Sequence, residues 1–232
     1  MKLGIFTDSH YSTEKITCNK RYNSESLQKI REAFEYFQMQ NCDLVICLGD
    51  LIDREKEHEQ EIINLHKVAD LIKEYRLEIV VIMGNHDAFS FEKDEFYGIL
   101  GENCRPVNCC IEGKSLLFID ACYFKSGKHY GPGDKDWTDT FYPDSTKLQQ
   151  DLSEVKDEAY LFMHQNIDPI LPENHKLFNA KELFDIIEQS KKVRAVYQGH
   201  YHPGKSSEYN GIEYITYPAM CENHNAYYIV EK

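Results

Sequence analysis

Apolar residues in this chain gather into short unbroken runs, and between the runs they recur at helical spacing, so the pattern predicts alternating strands and helices. Residues 2–7 read as a first strand. Leu27, Ile30, Phe34 and Phe37 then mark one face of a helix, with Asn23 or Ser24 placed to cap its start. Residues 44–48 are apolar on both faces, the pattern of a parallel strand covered on each side. Ile62, Leu65, Ala69 and Ile72 predict a second helix, and residues 79–83 a third strand. The first half is thus β-α-β-α-β.

The second half is less regular. Residues 115–119, 160–163 and 193–197 read as strands, and 147–155 and 180–191 as helices. Asn210-Gly211 separates two β-prone runs, 207–209 and 212–217, a strong signal of a two-residue hairpin. Residues 227–230 supply a closing strand. Alternating units followed by a hairpin predict an α/β fold in which two sheets pack face to face with helices outside. Residues 1–232 carry no repeat, low-complexity tract or long linker and read as one domain. The least regular stretch is 125–143, whose Tyr130, Trp137 and Tyr142 either stack on a flat substrate group or pin the loop to the body.

Composition narrows the function classes. With 232 residues and 42% hydrophobic content the chain is long enough to bury a two-sheet core. A formal charge of -13 argues against a general nucleic-acid-binding surface, because phosphate backbones are held by Lys and Arg. A small anionic substrate stays compatible where bound cations offset the carboxylates that hold them. The 8 cysteines form no C-x-x-C pair, and Cys42 and Cys47 lie within or beside an apolar run. The cluster Cys104, Cys109 and Cys110 fits no zinc spacing and reads as a structural loop. No apolar run approaches the roughly 20 residues of a membrane helix. The residues after Met1 look like a strand and not a cleavable leader, so the expectation is a soluble cytoplasmic protein with no membrane partner.

Candidate chemistry sits directly after the strand-like runs: Asp8-Ser9-His10, Gly49-Asp50-Leu51-Ile52-Asp53, Gly84-Asn85-His86-Asp87, His164, and Gly199-His200-Tyr201-His202. All would emerge at carboxyl ends of strands, where open α/β sheets bind ligands. An Asp and a His two apart at a strand end can face the same ion, and a carboxylate has two oxygens with which to bridge two ions. Asn85 adds a carbonyl oxygen, and His164, His200 and His202 add nitrogens. Such a mixed set suits manganese, iron or zinc better than calcium. Glycines precede Asp50, Asn85 and His200, where the chain must turn sharply.

In order and spacing these five elements resemble the D-x-H, G-D-x-x-D, G-N-H-D, H and G-H-x-H motifs of the calcineurin-like metallophosphoesterases, and they span nearly the whole chain. The resemblance implies a four-layer αββα sandwich of two mixed sheets and a site for two divalent or trivalent ions. Asp8, His10 and His202 would hold the first ion, Asn85, His164 and His200 the second, and Asp50 would bridge them. His86 would stabilise or protonate the leaving oxygen, Asp87 would orient His86, and Asp53 would support the ligands from behind. The chain departs from many relatives at Gln165-Asn166, where a second His or a Pro is common.

More narrowly, Lys20-Arg21-Tyr22, the helix beginning near Ser26-Leu27, Asn179-Ala180 and Gly211-Ile212-Glu213-Tyr214-Ile215 resemble the branch holding manganese-dependent ADP-ribose/CDP-alcohol diphosphatases. Arg21 is placed to grip a second phosphate. The implied activity is hydrolysis of a phosphodiester or phosphoanhydride of a nucleotidic small molecule by a metal-bridging hydroxide, with aromatics of the 125–143 loop beside the base. Two other readings stand beside it. One is a phosphomonoesterase acting on a small metabolite or phosphoprotein. The other is a non-catalytic metal-containing interaction module, against which the intact His86 and complete ligand set count.

Overall fold

The computed structural model describes residues 1–134 and 140–232. Four strands form the first sheet: β1 (Lys2–Phe6), β2 (Leu44–Cys47), β3 (Ile79–Val81) and the last strand, β10 (Tyr227–Glu231). Their order is β10-β1-β2-β3, with β1, β2 and β3 parallel and β10 antiparallel to β1, pairing Lys2 with Glu231. The second sheet holds β4 (Cys109–Ile111), β5 (Lys114–Ile119), β6 (Glu158–Met163), β7 (Val193–Gln198), β8 (Lys205–Tyr209) and β9 (Ile212–Thr216). It runs β4-β5-β6-β7-β9-β8, parallel through its centre and antiparallel at each edge. Both sheets are therefore mixed.

Three apolar layers follow from the two faces of each sheet. Leu3, Ile5, Ile46 and Val80 from the first sheet meet Leu116, Tyr160, Phe162 and Tyr197 from the second. The outer face of the first sheet is covered by α1 (Ser26–Met39) and α2 (His58–Tyr75), through residues such as Phe34, Phe37, Leu65 and Ala69. Two short helices, α3 (Asn85–Ser90) and α4 (Lys93–Leu100), continue that layer. The outer face of the second sheet carries α5 (Ser145–Glu154) and α6 (Ala180–Ser190), through Leu148, Leu152, Leu183 and Ile187. Burying each such side chain contributes about 1.5–3 kcal/mol relative to leaving it exposed. The expected sandwich of two mixed sheets flanked by helices is the observed one.

Local differences have physical reasons. Neither Asn23 nor Ser24 caps α1, which is entered through a 3-10 turn over Asn23–Glu25. Asn23 instead donates to the His10 carbonyl (2.7 Å) and to Asp53 Oδ2 (3.0 Å), so its amide braces the site. Asp144 caps α5, accepting from the Lys147 N–H. The hairpin stands where expected: Asn210 and Gly211 both have positive φ, as a type I′ turn requires, and join β8 to β9. Cys109 and Cys110 belong to the exposed edge strand β4 and not to a loop, while Cys104 is buried, and all eight thiols are free. Among the described residues no helix is long and apolar enough to cross a membrane.

Candidate metal centre

Each parallel strand near the centre of the sandwich ends in a turn that carries a candidate ligand. Asp8 follows β1, Asp50 follows β2, Asn85 opens α3 after β3, His164 follows β6, and His200 follows β7. Asp8, His10, Asp50 and His200 all adopt positive φ, a conformation that costs of order 1–3 kcal/mol in non-glycine residues and recurs at functional sites. Cross-strand bonds hold them there: the Asp8 N–H donates to the Gly49 carbonyl (3.0 Å) and the His10 N–H to the Asp50 carbonyl (2.9 Å).

The side chains converge in two groups about Asp50. On one side Asp8 Oδ1 lies 3.4 Å from His202 Nε2 and 3.7 Å from His10 Nε2, and the two imidazole nitrogens are 3.2 Å apart. On the other, Asp50 gathers with His164 and His200, their ligand atoms within 4.8 Å of one another. Asp50 Oδ2 reaches both groups, at 3.5 Å from His10 Nε2 and 3.2 Å from His164 Nε2.

The donors fit metal ions. Asp8 Oδ1, Asn85 Oδ1 and His164 Nε2 are buried without a hydrogen-bond partner, a state that costs about 1–3 kcal/mol per group. His164 Nδ1 is spent on the Leu48 carbonyl (3.0 Å), which turns Nε2 inward. His202 Nδ1 pairs with Glu222, itself 2.9 Å from Lys20. These outward-facing bonds fix ring orientation, the arrangement that metal-ligating histidines use.

Electrostatics show the same inward focus of negative charge. Burial opposes the charge on His164, yet the carboxylates of Asp50, Asp8 and Asp87 raise it to about 9. A positive charge, proton or metal ion, therefore belongs between His164 and Asp50. Burial, with other imidazoles adding to it, lowers His10 to about 4 and His200 to about 3, so both rings are neutral donors at pH 7. Burial acts against ionisation of Asp8 and Asp50, but the surrounding imidazoles hold both below the usual carboxylate range. Burial also pushes up the nearby Cys221 thiol, which stays protonated and a poor ligand.

Two roles differ from expectation. Asp87 does not touch His86. Its carboxylate accepts from the backbone N–H groups of Leu51, Ile52 and Gly84 at 2.9–3.2 Å, clamping the Asp50 turn to the start of α3. Burial and then Asp50 raise it to about 7. The group that orients His86 is Asp53, whose Oδ1 lies 2.8 Å from His86 Nδ1. Asp53 also stands 3.7 Å from Arg21 Nη1, which brings Arg21 to the site. Tyr130 is fully buried and pins its loop, with its hydroxyl on the Asp134 carbonyl (3.1 Å), so it offers no face to a substrate. Trp137 lies outside the described residues.

Sequence reasoning missed Glu222 and His175. His175 packs its ring against His200 and Tyr201, with centroids at 5.4 and 5.0 Å. Neither residue belongs to a motif or follows a strand, so no pattern marked them. Glu222→Ala is expected to weaken metal binding by about 10–100-fold with the fold intact, measured by competition with a chelator. Gly84 is required by space: a Cβ there would overlap the Asp50 carboxylate and backbone nitrogen. Gly84→Ala is expected to cost about 1–3 kcal/mol, read as a lower melting temperature, and to reduce metal content.

The family model of the calcineurin-like phosphoesterases matches residues 1–204, and the chain belongs to that family of metal-dependent phosphoric ester hydrolases. Among its relatives is the 3′,5′-cyclic adenosine monophosphate phosphodiesterase CpdA of Haemophilus influenzae, 25% identical over 95% of this chain and 77% of the relative. A probable cyclic nucleotide phosphodiesterase of Fibrobacter succinogenes is 23% identical over 87% of this chain and 73% of its own length. The crystal structure of a dimetal phosphatase from Danio rerio superposes with a TM-score of 0.81 at 14% identity, covering 96% of this chain and 88% of that one, a likeness of fold.

Proposed function

We propose that this chain hydrolyses a nucleotidic phosphodiester or phosphoanhydride at a dinuclear metal site. Asp8, His10 and His202 hold one ion, Asn85, His164 and His200 hold the other, and Asp50 is shared. The observation that carries the reading is the position of Asp50 Oδ2 between His10 and His164. Two bound ions supply an ionised water near neutral pH and neutralise charge on the phosphoryl oxygens. The chain's own residues do the rest. Burial disfavours the charged form of His86, but Asp50 and Asp53 raise its pKa, and Asp53 holds its Nδ1–H. His86 therefore presents Nε2–H to the leaving oxygen as general acid. Arg21 supplies a cation for a second phosphate. The nucleotidic substrate is supported by the cyclic nucleotide phosphodiesterases among the relatives.

Protein stripped with a chelator and restored with manganese, iron or zinc, then assayed on bis-p-nitrophenyl phosphate and p-nitrophenyl phosphate, tests this. Preferential diester hydrolysis that returns with two ions per chain is expected. Equal rates on the two esters would remove the diester preference, and activity unaffected by chelation would remove the metal site. A panel of ADP-ribose, a CDP-alcohol and cyclic AMP then separates anhydride from cyclic diester substrates; the Lys20-Arg21-Tyr22 resemblance favours the anhydrides.

A further inference from the structure

A cavity of about 550 Å³ opens between α4, the carboxyl end of β5 and the start of α5. None of the candidate metal ligands lines it. Behind its wall, the Cys122 N–H donates to Asp120, and Cys122 Sγ lies 3.5 Å from the Met83 carbonyl and 3.9 Å from the Gln165 amide nitrogen. The volume falls in the ~300–1,000 Å³ range of small-molecule sites. We infer that this cavity is a second site, one that binds a nucleoside monophosphate.

Charge is the first argument. In a chain of net charge -13, the lining carries the cations Lys93, Arg105, Lys125 and Lys147. Its carboxylates are Asp120 and Asp151, ion-paired with Lys93 and Lys147, and Asp144, whose partner is the Lys147 backbone N–H. Asp120 accepts from Lys93 (2.6 Å) and the Cys122 N–H (2.9 Å), Asp144 caps α5, and Asp151 takes Lys147 and Asn108. Arg105 is paired with Asp94 and Glu102. Lys125 has no carboxylate within ion-pair distance among the described residues and rests over the Tyr142 ring, 5.7 Å from its centroid. Four cations against three carboxylates line the cavity, and among the described residues Lys125 is the lining ammonium without an ion pair, suited to one phosphate.

Shape is the second. Phe118, Tyr123 and Tyr142 present aromatic surface to the cavity, on which a flat ring stacks. Lys93 holds Tyr123 in place through its hydroxyl (3.1 Å). Of the aromatics in the 125–143 loop, Tyr142 lines this cavity.

Manganese-loaded protein titrated with AMP by calorimetry provides the test, with 8-azido-AMP photolabelling to locate the ligand. Saturable binding is expected to survive both metal chelation and Asp50→Ala, and to weaken at least tenfold in Lys125→Glu. That variant should hydrolyse bis-p-nitrophenyl phosphate at the wild-type rate. Adenosine, which lacks the anion, should bind at least tenfold more weakly, and the label should map to a peptide containing Tyr123 or Tyr142. Absence of saturable binding at millimolar AMP would overturn the inference. So would binding that is lost on chelation and indifferent to Lys125→Glu, or a label confined to the metal-centre peptides. Should Asp50→Ala fail to fold, chelated wild-type protein carries the same readout.

Discussion

Asp50→Ala is expected to release at least one metal ion per chain and to lower diester hydrolysis by more than the ~100 to 1,000-fold typical of removing one transition-state donor. The reason is geometric. Asp50 Oδ2 is the atom within 3.5 Å of both His10 and His164, so its loss removes a ligand from each proposed ion at once. Asp50 Oδ1 meanwhile accepts the His86 N–H (2.8 Å), so the acid's own backbone loses an anchor. Metal content by mass spectrometry, measured beside activity on one preparation, checks both consequences. Two ions retained in the variant would contradict the shared-ligand assignment.

The second large effect separates chemistry from binding. His86→Ala is expected to keep the full metal content while turnover falls by about 100 to 10,000-fold, the usual contribution of a positioned general acid. The loss should shrink for substrates whose leaving group needs no proton, such as p-nitrophenolate esters, and be largest for an alkoxide leaving group. Asp53→Asn should show a milder version of the same profile, because the ring remains but loses the carboxylate 2.8 Å from Nδ1. Wild-type turnover of an alkyl diester by His86→Ala would eliminate the proposed role, and loss of metal in that variant would reassign His86 as a ligand.

Much of this was legible in the chain because the physics is local. The runs at 44–48 and 79–83 could be read as strands since a strand covered on both faces has no polar positions. The motif residues could be read since each follows such a run. What escaped depended on contacts distant in sequence. Asn23 looks like a helix cap by composition, but its partner Asp53 is 30 residues away. Asp87 adjoins His86, which suggested a pair, yet in a helical turn adjacent residues face different directions, and Asp87 turns back to its own N-terminal backbone. Glu222 is one acid among 39 Asp and Glu residues, distinguished only by where β10 and its preceding loop place it. The edge strand β4 was missed because it is only three residues long and those residues are exposed or half-exposed.

The pairing of β1 with β10 has a consequence for how the protein is made. β1 finds its antiparallel partner only when β10 arrives, since Lys2 pairs with Glu231. At ~5–20 residues per second, that interval is on the order of 10–45 s. Throughout it β1 carries an unpaired edge beside an apolar face, the type of surface on which nascent chains aggregate. Chaperone supply during synthesis should therefore govern the soluble yield more strongly than the stability of the finished sandwich.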